Sequence, residues 1–69
     1  MSKYDLQGIN GNAFNVLGYV TRAMRREGYS REEIKDFREI ATSSDYDFLL
    51  CLCMEKIDKI NELIDEEAE

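Results

Sequence analysis

From Tyr46 onward, apolar side chains recur at Tyr46, Leu50, Cys53, Ile57, Ile60 and Ile64, at separations of 4, 3, 4, 3 and 4. That spacing keeps one stripe of a helix apolar and fits no strand. It predicts a long helix over about residues 44–67. Ser44 supplies a capping hydroxyl, and Asp45 and Asp47 place carboxylates at the positive end of the helix dipole. Inside this stretch Phe48 to Met54 is an unbroken apolar run of seven. At about 100° per residue, Phe48, Cys51 and Leu52 fall nearly opposite the stripe. A helix that is apolar all round is normally covered all round. Either the N-terminal segment or another chain must then cover this second face. A buried strand over residues 48–54 is the local alternative, because periodicity carries no information inside a continuous apolar run.

Two shorter helices precede it. Ala13, Val16, Leu17, Val20, Ala23 and Met24 share one face of a helix over about residues 12–27, with Asn10 or Asn12 as its cap. Arg25 and Arg26 suit its negative end, and Gly28 supplies a left-handed stop. Gly18, at the edge of the stripe, costs ~1 kcal/mol against alanine. It is either a tolerated exposed glycine or a point where another backbone or ring comes close. Ser30 with Glu33 forms a capping box for a helix over about residues 31–41, whose inward face is Ile34, Phe37, Ile40 and Ala41. Thr42 and Ser43 leave only a tight link to the long helix. Connections this short make neighbouring helices pack together, so the expected fold is all-α, a three-helix bundle with a long C-terminal helix. Tyr4, Leu6 and Ile9 punctuate an N-terminal arm, residues 1–9, that is either disordered or packed across the helices.

Length changes the picture. The chain has 69 residues, enough for one domain spanning 1–69. A domain this small buries only ~60% of the surface its unfolded chain exposes, which makes association with a second copy a common aid to stability. A homodimer is therefore a candidate state. Cys51 and Cys53 point in nearly opposite directions on a helix and cannot pair with each other. With two cysteines and no histidine, neither a zinc site nor any cofactor is expected. No signal-peptide pattern or membrane-length apolar run is evident, so the expected location is cytoplasmic.

The net charge of −6 disfavours direct nucleic-acid binding through bulk electrostatics. Arg22, Arg25, Arg26, Arg31, Lys35 and Arg38 cluster, yet acids lie among them. A helix–turn–helix reading, with the second helix in a groove, would bring Glu32, Glu33, Asp36 and Glu39 towards phosphates. A DNA-binding regulator is thus the lesser alternative. Acids dominate the end of the chain, where Glu62, Asp65, Glu66, Glu67 and Glu69 oppose the dipole and predict a frayed tail over 65–69. With no histidine, no phosphate loop and no nucleophile elbow, an enzyme is not expected. The sequence points to a protein that works by binding another protein. Phe14, Gly18, Phe48, Cys51 and Leu52 are the candidate contact residues. An acidic nucleic-acid mimic that presents Asp58, Glu62, Asp65, Glu66 and Glu67 to a basic cleft is the alternative.

One resemblance adds to this. Gly11-Asn12-Ala13-Phe14, Leu17-Gly18, Val20, Arg22-Ala23 and Gly28, then Ala41-Thr42-Ser43-Ser44-Asp45-Tyr46-Asp47, Leu49-Leu50 and Met54, resemble a family of short uncharacterised helical proteins of bacteriophages and mobile elements. The likeness covers about residues 11–57. The family carries histidine after Asp-Tyr-Asp where this chain has Phe48, so no role of that histidine transfers. The resemblance implies a small helical fold and a phage or mobile-element origin, with no assigned activity. By analogy it suggests an adaptor or an inhibitor of a host protein.

Overall fold

The computed structural model describes residues 3–68. The chain is an all-α bundle of three helices: α1 (Ala13–Arg26), α2 (Arg31–Ala41) and α3 (Tyr46–Ala68). Local chemistry sets nearly every boundary. Asn12 caps α1 by accepting from the Phe14 amide at 2.8 Å, while Asn10 accepts from the Asn12 amide. At the far end the Gly28 amide donates to the Arg25 carbonyl, and the Tyr29 amide to the Met24 carbonyl. That pair of bonds is a Schellman stop, and it needs the positive φ of 93° that Gly28 adopts. Ser30 and Glu33 exchange both bonds of the capping box at the start of α2.

The long helix begins two residues later than its pattern predicts. Asp45, not Ser44, is the cap: its carboxylate accepts from the Phe48 amide and its carbonyl from the Leu49 amide. Residues 48–54 are helical throughout, so the strand alternative fails. α1 and α3 run parallel. The Tyr46 hydroxyl donates to the Gly11 carbonyl at one end, and Glu27 and Tyr29 lie beside Ile60 and Ile64 at the other. The α2 segment returns antiparallel between them.

The core consists of Val16, Leu17, Val20, Ala23 and Met24 of α1, Ile34, Phe37 and Ala41 of α2, and Leu49, Cys53, Ile57 and Ile60 of α3. The long helix is therefore rotated slightly from its expected orientation. Leu49 is buried, Leu50 is only half-buried, and Tyr46 at the head of the expected stripe is exposed. Leu52 is half-buried and packs against the core, whereas the sequence places it opposite.

The arm is packed. It runs back along the groove between α1 and α3, with Tyr4 buried as part of the core and Leu6 and Ile9 half-buried against it. Asn61 holds it through two buried bonds. Its side-chain oxygen accepts from the Tyr4 amide at 3.1 Å, and its Nδ2 donates to the Tyr4 carbonyl at 2.9 Å. The Tyr4 ring meets Tyr19 edge-on at 6.2 Å, and the Tyr19 hydroxyl accepts from the Asp5 amide. Lys3 Nζ and the Tyr4 hydroxyl both donate to the Glu27 carboxylate. The remaining two residues of the arm, Met1 and Ser2, lie outside the described residues. So does Glu69 of the acidic tail, while α3 stays helical to Ala68. No helix among the described residues is long and apolar enough to cross a membrane.

Candidate functional site

Three helices leave three grooves, and they differ in what fills them. The arm occupies the α1–α3 groove. A shallow depression remains where it meets α3, lined by Leu6, Leu50, Met54, Ile57 and Asp58, and the Asn61 amide there is fully engaged with Tyr4. This is a packing seam with no free polar group converging on it from Asn61.

The α2–α3 groove is open and apolar at one end. Phe37, Ile40 and Leu52 line it, and Ile40 is 54% exposed. Phe48 lies one turn before Leu52 on the same stripe of α3 and is 37% exposed. Cys51, three residues after Phe48, is exposed beside it. The other end is closed by Lys56, whose ammonium sits 5.4 Å from the Tyr29 ring centre and 5.6 Å from that of Phe37. A cation held over two rings keeps its stem against apolar surface while its charge stays wet.

The α1–α2 groove is basic. Leu17, Gly18, Thr21 and Ile34 form its floor, Arg22 and Arg25 line it from α1, and Arg31, Lys35 and Arg38 line it from α2. The Thr21 hydroxyl, buried, donates to the Gly18 carbonyl. Phe14 stands at one end of the groove, 84% exposed.

The five candidate contact residues thus divide. Phe14 and Gly18 belong to the α1–α2 groove; Phe48, Cys51 and Leu52 belong to the α2–α3 side. Nothing packs closely on Gly18: a methyl group there would meet only the tip of Arg22, at 4.0 Å. The close-approach reading of Gly18 within one chain therefore fails, which leaves a tolerated glycine or an approach from a partner. The acids Asp58, Glu62, Asp65, Glu66 and Glu67 are all exposed. Asp58, Glu62 and Asp65, spaced 4 and 3 apart, fall on one ridge of α3.

Two features escaped the sequence reading. Asn61 interrupts the apolar spacing at a core position, which is itself the signal of a buried polar group that must find partners. The basic groove is legible as Arg22 and Arg25 at i, i+3 and Arg31, Lys35 and Arg38 at i, i+4, i+7. What the spacing lacked was the knowledge that the two stripes face each other. Among the described residues, no group of three or more histidine, cysteine, aspartate or glutamate side chains is placed to hold a metal ion. Burial pushes the Cys53 thiol up to about 11. Compared with known protein families, curated proteins and solved structures, the chain matches none.

Proposed function

We propose that this is a non-enzymatic protein that acts by binding another protein, through the apolar α2–α3 face formed by Ile40, Phe48, Cys51 and Leu52. The observation that carries the reading is the pair Ile40 and Phe48, large apolar side chains left in solvent on adjoining helices of a very small fold. A partner covering both would bury about 800 Å² of this chain. Its total exposed surface is 5176 Å², so a contact of that standard size would take roughly 15% of it. Burying a phenylalanine or isoleucine side chain contributes ~1.5–3 kcal/mol. The resemblance to phage and mobile-element proteins extends the proposal to an adaptor or inhibitor of a host protein.

The test uses Ile40→Ser with Phe48→Ser as bait in extracts of the native host, beside the wild type. Both positions are exposed, so the bundle should keep its helical content. The partner retained by the wild type should be lost by the double variant. Retention at equal affinity would end the proposal for this face. Leu52 is a poorer probe, because it packs against the core and its replacement would disturb the fold.

The exposed acidic ridge supports a second reading, a nucleic-acid mimic. That reading requires binding to a basic nuclease or regulator that weakens steeply with salt and competes with DNA. Salt-insensitive binding would return the assignment to the apolar face.

A further inference from the structure

Five of the nine bases in a chain of net charge −6 converge on the α1–α2 groove. Like charges gathered on facing helices raise each other's energy unless something negative answers them. Among the described residues the one ion pair is Lys3 with Glu27, at the opposite groove, and none of the five bases of the α1–α2 groove is in an ion pair. Glu39 is the one acid that lines the groove. Under the cations the floor is partly apolar, Leu17 and Ile34 beside Thr21, and Gly18 adds no side chain to it. The groove therefore fits a ligand that carries acids beside an apolar side chain.

The same chain carries such a segment. α3 has 23 residues and α1 has 14, or ~34 Å against ~21 Å at 1.5 Å per residue. Their starts are level, because Tyr46 bonds to Gly11, so α3 runs past the end of α1, with Leu63 and Glu67 still bordering Glu27 and Tyr29. On its last turns Leu63 is 41% exposed, with Glu62 beside it and Glu66 three residues on, both exposed. Acids at a helix C-terminus oppose its dipole, and cations brought alongside would relieve that cost. No α3 residue lines the α1–α2 groove, so a molecule cannot insert its own end.

We infer that the α1–α2 groove receives the acidic end of α3 from a second copy of this chain, Leu63 meeting the apolar part of the floor and Glu62 and Glu66 meeting Arg25 and Arg38. Two copies that exchange ends make the same contact twice, which closes a symmetric dimer. A phosphate backbone is disfavoured as occupant. Glu32, Asp36 and Glu39 are exposed on α2 itself and would meet a continuous row of phosphates. This surface is distinct from the α2–α3 face, and the two proposals stand or fall separately.

Charge exchange between copies provides the test, by sedimentation equilibrium. One variant reverses the groove, Arg25→Glu with Arg38→Glu; another reverses the end, Glu62→Lys with Glu66→Lys. All four residues are exposed. The wild type should dimerise, and each variant alone should associate at least ~10-fold more weakly, since like charges would then meet. An equal mixture of the two should regain dimers, because every groove then faces an end of opposite sign. If a reversal unfolds the bundle by circular dichroism, the neutral pairs Arg25→Gln with Arg38→Gln and Glu62→Gln with Glu66→Gln should still weaken association. Ile40→Ser with Phe48→Ser should dimerise like the wild type. A wild type that stays monomeric, a mixture that stays monomeric, or a dimer lost on the Ile40 and Phe48 changes would each overturn the inference. So would a DNA duplex that titrates the groove arginines.

Discussion

Replacing Asn61 with alanine tests whether the N-terminal arm is a structural element or an ornament. The Asn61 amide makes both of the buried bonds that hold the Tyr4 backbone. Truncation leaves a buried N–H and a buried C=O without partners, at ~1–3 kcal/mol each if the arm stays in place. The arm has a cheaper route, which is to leave and rehydrate. It then forfeits the burial of Tyr4, ~1.5–3 kcal/mol, and the edge-on contact with Tyr19, ~0.5–1.5 kcal/mol. Freed backbone entropy offsets part of this, so the departure caps the loss below the sum of the two bonds. The expected cost is about 2 kcal/mol, a fall of roughly 8–16 °C in Tm for a domain of this size. Urea unfolding followed by circular dichroism gives the free energy, and hydrogen exchange at the Tyr4 amide shows whether the arm has left. Asn61→Asp sharpens the assay: it keeps an acceptor for the Tyr4 amide but turns an acceptor towards the Tyr4 carbonyl. It should be as damaging as alanine at neutral pH and recover partly in acid, where a protonated carboxyl can donate. A loss under ~0.5 kcal/mol for Asn61→Ala, with Tyr4 exchange as slow as in the wild type, would refute the two-bond clamp.

Three further outcomes follow from individual groups. Gly28 holds a φ of 93° and should lose ~1 kcal/mol on replacement by alanine, whereas Gly18, with open space around it, should gain ~0.5–1 kcal/mol; paired urea midpoints with opposite signs are the check. The Tyr4 hydroxyl, and then the Lys3 ammonium, hold the Glu27 carboxyl below its ordinary 4.5. A lowered pKa means that this contribution is whole above pH 4.5 and is lost as pH falls through the lower folded value. Glu27→Gln should therefore flatten part of the decline in stability as pH falls below the ordinary carboxylate value, leaving the share that belongs to Glu33, whose carboxyl the Ser30 amide also holds down. Finally, a thiol reagent should modify the exposed Cys51 at once and reach Cys53 only on unfolding, since Cys53 is fully buried with its thiol raised to about 11; equal rates in the native protein would contradict the burial.

The sequence by itself determined the three helices and most of their ends. Each end rests on groups two to five residues apart: Asn12 with Phe14, Ser30 with Glu33, Gly28 with Arg25 and Tyr29 with Met24. Such signals need nothing beyond the local chain. It missed the α3 start by two residues because Ser44 and Asp45 offer equivalent caps, and only the backbone decides which oxygen reaches the first turn. Tertiary structure decided the rotation of α3 about its own axis. Within Phe48 to Met54 every side is apolar, so no periodicity marks which side faces inward, and Leu49 was as good a core residue as Leu50. The packed answer is set from further down the helix, where Asn61 must turn to the Tyr4 backbone and Ile57 and Ile60 to the core. Tertiary structure also brought the arginines of α1 opposite those of α2, since two stripes on separate helices become one groove only when the loop between them fixes which faces meet.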